Sequence, residues 1–414
     1  MIRTKSDGAK KQSRRIPSAL KITALILILL VAFYCTFTFS NIPVIAKARH
    51  ILIETAMSTM RHQWIATALF PQSVVDEVMD KVKAAQMEQV GVESTWEIDP
   101  SGSGDNPNIS VEDPTPQELA FFTLFHELEP AQVRAYVKEH PEAIRDGWEK
   151  LYINEAGLDD DGTGMKTRQG DEVLAIDAVN QILLVEVTGT GYRGVMAIAK
   201  DPSRLSVSMA ETLGKSGQHL GTICKNNGAV LGLTANGFED YNEKGESGKG
   251  NGGILSGYTM SNGVPYGSHL KLGWKRIELR SDDRLYIVDT IRDVHEDCTD
   301  AAEFTPALIV DGKILVDEYC GWNAINPRTC IGQTRRDEIL LLCIEGRLIT
   351  SLGVGVVRCA EIMYSYDCVQ AMNLDGGTSS IMWFQGEYVT RCSNTALPYG
   401  RPLPNAFTYA GTAR

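Results

Sequence analysis

The chain has 414 residues, 43% hydrophobic and 22% charged, a balance that suits a folded protein of more than one structural unit and excludes a wholly disordered one. Its formal net charge of −12 argues against a nucleic-acid binder, because a polyanion would be repelled.

Residues 1–21 are basic, with Arg3, Lys5, Lys10, Lys11, Arg14, Arg15 and Lys21 against the single acid Asp7. An uncharged apolar run follows and sets a signal-anchor helix at 22–40, since roughly eighteen such residues span a bilayer. Positive charge ahead of the run keeps the N-terminus in the cytoplasm and puts the rest outside the cell membrane. Ala46-Lys47-Ala48 resembles a signal-peptidase site, but it lies well past a run that is long for a signal peptide. An uncleaved anchor is expected. Residues 41–93 read as a membrane-proximal helical stalk, with Val74, Val75, Val78, Met79 and Val82 at helical spacing. Residues 94–117, rich in Ser, Gly, Pro, Asp and Asn, read as a linker.

A small helical region is expected over 118–169, carried by Leu119, Phe122, Phe125, Leu128, Val133, Tyr136 and Val137. His126 and His140 have no companions at ligand spacing and read as packing or surface residues. Asp159-Asp160-Asp161-Gly162-Thr163-Gly164 invites a calcium loop. Setting either glycine at the sharp turn leaves Arg168 or Gly170 where a bidentate Glu belongs, so it reads as an acidic turn.

From residue 170 to 414 the texture is that of strands. Strands are expected at 173–176, 182–187, 192–199 and 205–209, then a helix at 212–227 and a buried strand at 229–234. A glycine-rich loop over 235–253 leaves one strand and resumes in another, which marks a site rim. Further strands read at 276–280, 285–289, 307–310 and 314–316, with Asp311-Gly312 as a hairpin turn. Asn326-Pro327-Arg328-Thr329 is a turn presenting an arginine, a fork suited to phosphate. The run 339–344 is apolar throughout, the mark of a strand buried on both faces, and it ends in Glu345-Gly346-Arg347. A helix with Cys359, Met363 and Tyr364 follows.

Between apolar strands at 369–372 and 381–384 lies Asn373-Leu374-Asp375-Gly376-Gly377-Thr378-Ser379-Ser380. The glycine pair reaches φ > 0 and has no Cβ to block a ligand, and free N–H groups and hydroxyls in such a turn can cradle an anion. Asp375 beside them can serve as acid, base or metal ligand. The bland alternative is a polar hairpin loop. Two strand-end carboxylates, Glu345 and Asp375, with Arg328 and Arg347, make a constellation instead of a lone motif.

There are nine cysteines. Cys35 lies in the apolar run, and the others permit disulfides without assigning them, with Cys320 and Cys330 the first pair to examine. Cys224 and Cys343 read as buried thiols. No C-x-x-C and no Cys/His cluster of zinc spacing occurs.

Over residues 191–410 these features resemble the phosphodiester glycosidases related to the lysosomal "uncovering" enzyme, N-acetylglucosamine-1-phosphodiester α-N-acetylglucosaminidase. The resemblance is carried by Asn326-Pro327-Arg328-Thr329 with Gly332 and Gln333, by Glu345-Gly346-Arg347, by Asn373 to Gly377 with Ser379-Ser380, and by Arg401-Pro402 with Asn405-Ala406. The other half adds Asp201-Pro202-Ser203-Arg204, Gly237-Phe238 with Asp240, and Gly250-Asn251-Gly252-Gly253. Thr378 stands where the family has a third glycine, Glu345 where it has Asp, and Thr234 where an asparagine is common. Residues 41–170 have no counterpart there.

The resemblance implies hydrolysis of a sugar-1-phosphodiester, with a cell-envelope or exopolysaccharide glycan as the carbohydrate partner. Glycoside hydrolysis normally uses two carboxylates, but a phosphodiester leaving group is a weak base and needs less protonation. The expected catalytic group is Asp375 with Glu345 and Asp240. Arg328, Arg347, Asn326, Asn373, Gly376, Gly377, Thr378, Ser379, Ser380, Asn251, Arg401 and Asn405 are expected to bind substrate and phosphate. No cofactor is assigned; a divalent metal ion at Asp375 and Asp240 stays open, since no ligand set is legible. Two other readings stand beside it: a non-catalytic polysaccharide-binding module using Trp322, Trp383 and Tyr399, and a transferase on the same scaffold. The expected fold is α+β, a strand-rich catalytic core with flanking helices, preceded by the transmembrane helix and the helical region.

Overall fold

The structure, a computed structural model, describes residues 18–57, 63–98, 113–144, 146–241, 244–246, 249–318 and 320–412. Most of the basic tail and the middle of the expected linker lie outside these residues. The first helix, α1 (Ser18–Phe39), is long and apolar enough to cross a membrane, and its side chains are exposed along most of its length. Three helices follow: α2 (Pro43–Met57), α3 (Gln63–Leu69) and α4 (Gln72–Glu88). They share a small core of Ile53, Ala56, Ala66, Phe70, Val74, Val75 and Val78.

These helices are docked, not a free stalk. The Glu54 carboxylate of α2 accepts from the Ala324 amide at 3.1 Å. Val82 of α4 packs so tightly on Gly321 that a Cβ there would stand 2.5 Å from its methyl. Beyond α4 the chain runs as a strap over the strand-rich part. The Gln89 amide bridges Ala307, donating to its carbonyl at 3.0 Å and accepting from its N–H at 3.1 Å. The Lys275 ammonium, buried, donates to the Gln89 and Val92 carbonyls and to Asp289. Thr95 and Trp96 donate their N–H groups to Asp311. The part of the expected linker that is described, 94–98, is therefore fastened down.

Among the described residues the strands form three antiparallel sheets. The largest has nine strands in the spatial order Tyr152–Asn154, Glu172–Asp177, Ile182–Gly189, Tyr192–Ala199, Ile339–Ile344, Arg328–Thr334, Cys368–Asn373, Ala307–Val310 and Lys313–Ile314. Its first strand lies inside the expected helical region and pairs with the second, so no structural border falls at residue 170. Ile339–Ile344 sits in the middle and is buried throughout. Leu340, Leu342 and Ile344 face a core made with the helices Pro116–Leu124, Pro130–Glu139 and Val356–Tyr364. Ile339, Leu341 and Cys343 face the opposite core. That period of two with apolar residues on both sides is what a doubly covered strand requires.

The opposite core is closed by two five-stranded sheets. One orders Leu285–Asp289, Lys275–Arg280, Cys298–Phe304, Thr259–Ser261 and Val264–Tyr266. The other orders Glu387–Tyr388, Met382–Phe384, Ala229–Thr234, Asn405–Ala410 and Leu205–Met209. Asp311 and Gly312, both with positive φ, make the expected hairpin turn. The expected helix at 212–227 shortens to Leu220–Asn226. Residues 212–217 instead form a glycine-bearing turn whose Gly214 and Gly217 amides bond to Gly253 and Asn251.

All nine cysteines are free thiols. Cys320 and Cys330 are not joined; Cys330 hydrogen-bonds the Cys359 thiol under the helix Val356–Tyr364.

Candidate active site

The stretch 373–380 is not a hairpin. Cys368–Asn373 belongs to the nine-stranded sheet and Met382–Phe384 to a five-stranded one, so the turn crosses between layers. Asp375 sits at that crossing. Its N–H donates to the Ala235 carbonyl at 3.1 Å, and the Thr329 hydroxyl donates to its own carbonyl. Strand ends from two sheets thereby fix its backbone. The carboxylate accepts from the Ser379 hydroxyl and the Gly376 N–H, yet burial outweighs these bonds and raises its pKa to about 6. Arg401 pulls that value down and Asp240 pushes it up.

Gly376 and Gly377 have steric reasons to be glycine. A Cβ on Gly376 would stand 2.9 Å from the Pro327 carbonyl. Gly377 has φ +63° and faces the Arg347 guanidinium, 3.4 Å from where its Cβ would be. Arg347 is exposed and is held by the Asn326 side chain at 2.8 Å. The amides of Gly377, Ser379 and Ser380 are committed to Pro327, Gly376 and Gly377 carbonyls. The turn thus offers hydroxyls and Arg347 to an anion more than a row of free amides. The Ser380 hydroxyl is buried without a partner among the described residues, and the Thr378 hydroxyl accepts from Ser393 at 3.3 Å.

The loop from 235 reaches the same place. A Cβ on Gly237 would lie 3.9 Å from Asp375 Oδ1. Asp240 accepts from Arg401 and, at 3.3 Å, from the Gly250 amide, while the Arg401 guanidinium stacks 4.5 Å from the Phe238 ring centroid. Asp375, Asp240 and Arg401 therefore come together, and Arg347 with Asn326 meets the 376–380 turn at Gly377.

Other expected site residues do not. Glu345 is sealed from solvent: it accepts from Arg193 at 3.0 Å and from the Arg391 amide at 2.8 Å, and its second oxygen is buried with no partner among the described residues. It sits one residue past a central strand, beside Arg193 on the neighbouring strand, which makes it a cross-strand ion pair. The second carboxylate in electrostatic reach of Asp375 is Asp240. Arg328 is 5% exposed and spends its guanidinium on the Trp322, Ala324 and Val354 carbonyls, shaping the segment that carries Asn326 instead of facing a phosphate. Asn373 is buried on the Thr305 carbonyl at 2.7 Å. Asn251 staples its loop to Lys215 and Gly253.

Asn405 acts one step back. It holds Asn236, accepting from its N–H at 3.1 Å and donating to its side chain at 3.0 Å. Asn236 in turn donates to the Tyr258 and Glu303 carbonyls and accepts from the Thr259 hydroxyl. This buried amide cluster pins Ala235-Asn236-Gly237 against Asp375. Asn236 was missed in the sequence; its only signal was an amide beside the Gly237-Phe238 pair. Thr234 donates its hydroxyl to the Ser379 carbonyl at 2.6 Å and so braces the turn.

The Asp375–Asp240 pair faces Arg401, an internal cation. Elsewhere His126, Glu127 and Glu338 bring donor atoms within 4.8 Å of one another. Lys200, buried, already bonds both of those carboxylates at 2.6 and 2.7 Å. Of the aromatic residues a binding module would present, Trp383 is buried, Trp322 packs edge-on against Phe304 and Trp274, and Tyr399 is exposed.

Residues 227–409 match the family model described as phosphodiester glycosidase. The SPbeta prophage-derived uncharacterized protein YomE of Bacillus subtilis (strain 168) is 24% identical over 184 residues, 42% of this chain and 27% of that protein. The N-acetylglucosamine-1-phosphodiester alpha-N-acetylglucosaminidase of Bos taurus is 34% identical over 64 residues, 16% of this chain and 12% of that protein. The chain thus spans well under a third of either relative's length. Among solved structures, the catalytic domain of the zebrafish N-acetylglucosamine-1-phosphodiester alpha-N-acetylglucosaminidase aligns with TM-score 0.45 and 15% identity, over 56% of this chain and 82% of that one. A hypothetical protein from Synechocystis aligns with TM-score 0.40 and 13% identity, over 57% and 63%.

Proposed function

We propose that this chain, whose residues 227–409 form a phosphodiester glycosidase domain, is a membrane-anchored, extracytoplasmic hydrolase that cleaves the glycosidic bond of a sugar-1-phosphodiester in a cell-envelope or exopolysaccharide glycan. One observation carries the reading. A desolvated carboxyl with a pKa of about 6, Asp375, stands where two sheets meet, in the field of Arg401, at the head of the turn whose Gly377 the exposed Arg347 faces. A base poised near the working pH is what general-base chemistry asks for.

Ionised Asp375 takes a proton from water, and the hydroxyl forms a bond to the anomeric carbon. The bond from that carbon to the phosphate oxygen breaks, and the phosphate leaves with the electron pair as a phosphomonoester. Arg347 carries the phosphate charge, and Asn326 orients it. Arg401, held between Asp240 and the Phe238 ring, sets the local field. Asp375 returns its proton to solvent.

The test uses the full chain in detergent or lipid discs, with methyl phosphodiesters of several sugar-1-phosphates, following free sugar. Release of sugar is expected; release of methanol with intact sugar phosphate would mean phosphate-ester cleavage and overturn the reading. Arg347→Ala is expected to raise KM about tenfold with a smaller loss in kcat, because its charge-assisted contact with the phosphate exists in ground and transition states alike. Steady-state kinetics on the same substrates checks this, and an unchanged KM would remove Arg347 from the phosphate site.

A further inference from the structure

We infer that the outer face of α2 and α3 lies in the head-group layer of the membrane that α1 crosses, seating the catalytic unit directly on the bilayer. This rests on reading α1 as a membrane span.

The two faces of α2 differ sharply. Arg49, His50, Ile53, Glu54 and Ala56 are buried toward the other helices and the catalytic unit. Val44, Ala48 and Leu52, at i, i+4 and i+8, form an exposed apolar stripe, with Val44 77% exposed. On α3, Ala66 turns inward while Trp64 (65% exposed), Ala68 and Leu69 (48% exposed) turn outward. A helix facing water carries mostly polar residues on its outer side; here Lys47, Gln63 and Thr67 flank these apolar side chains, which no described residue covers.

Lipid is the occupant because this face is tied to the end of α1. The Arg49 guanidinium donates to the Phe37 carbonyl at 3.1 Å and to the Ser40 carbonyl at 2.9 Å, placing a cation on the C-terminal end of α1. The Phe37 ring lies 6.0 Å from Phe70 at the end of α3. Residues 40–42 separate α1 from α2, and a segment that short reaches at most about 10 Å. The head-group layer is itself roughly 5–7 Å deep on each side. α2 therefore starts inside or at the edge of that layer. An exposed indole beside apolar side chains is the composition that settles at a lipid–water boundary. Through Glu54, α2 hands this position on to Ala324, two residues from Asn326.

The experiment places single copies of the full chain in discs of phosphatidylcholine brominated near the carbonyl end of its acyl chains. Tryptophan emission is compared with that in unbrominated discs. Trp64 is one of six tryptophans, and it is exposed, so Trp64→Phe leaves the core intact. Bromine quenching is expected in the wild type, and most of it is expected to vanish in Trp64→Phe. Quenching unchanged by the substitution, in a protein that alkaline carbonate leaves in the membrane, overturns the seating and keeps the span. Complete extraction by carbonate removes both. A detergent-solubilised dimer that Trp64→Ser converts to monomer also overturns it, by assigning the face to a second copy.

Discussion

Asp375→Asn is expected to lower kcat between about a hundredfold and ten-thousandfold, the range over which a positioned proton acceptor acts, while the protein stays folded. The pH dependence makes the assignment specific. Base or nucleophile, Asp375 must be ionised to act, so kcat/KM should climb with pH through about 6 and level off above it. A limb that falls through the same pH would make Asp375 an acid and sink the mechanism. Asp240 pushes the Asp375 pKa up and also occupies Arg401, which pulls it down. Asp240→Asn should therefore move the limb to lower pH.

Stability carries the opposite sign. The folded-state pKa of Asp375 lies above the ordinary carboxyl value, so the native state holds this proton more tightly than the unfolded chain does. Its contribution is complete below the ordinary carboxyl value of 3.8 and is lost as pH rises through about 6. The asparagine variant lacks that loss. Its melting temperature should gain on the wild type between acid and neutral pH, read by thermal unfolding across that window. A gap that stays flat would mean that Asp375 is better solvated than its surroundings indicate.

Asn236→Ala is expected to destabilise the protein by about 2–4 kcal/mol, because it strips donors from buried carbonyls and leaves their desolvation uncompensated. Asn236 is fully buried, and its amide bonds the Tyr258 and Glu303 carbonyls while its backbone is held by Asn405. The adjoining Ala235 carbonyl receives the Asp375 N–H. Loosening this turn should also reduce kcat about tenfold or more, since a small misplacement near reacting groups is costly. Denaturant midpoints and kcat on the folded fraction check the two parts separately. A stable variant with full activity would show that the amide cluster does not position Asp375.

Much of the frame was legible because burial writes a period into the chain. The apolar run at 339–344 is the central strand with both faces covered, and the alternate burial of its residues follows from that place. Val74, Val75, Val78 and Val82 are the buried side of α4. The site was legible only in part. Asp375, Arg347 and Asp240 were found as charges beside turns, and they converge. Glu345 and Arg328 have the same type and position along the chain, yet one closes an ion pair and the other a set of carbonyl bonds. Nothing local separates a strand-end charge that faces a cleft from one that faces a neighbouring strand, because the neighbour is chosen by sheet order.

The sequence by itself determined the strongly apolar strands such as 182–187, 229–234 and 339–344, the apolar α1, and the turn in which two glycines must stand beside Asp375. Periodicity and backbone sterics are local, and they act before the chain has chosen partners. Only the tertiary structure decided that this turn joins two sheets, that Ala235 and Asp375 meet, and that Asn236 and Asn405 hold them there. Those contacts link residues more than a hundred positions apart. Their strength comes from burial away from water, which no residue possesses until the layers have packed.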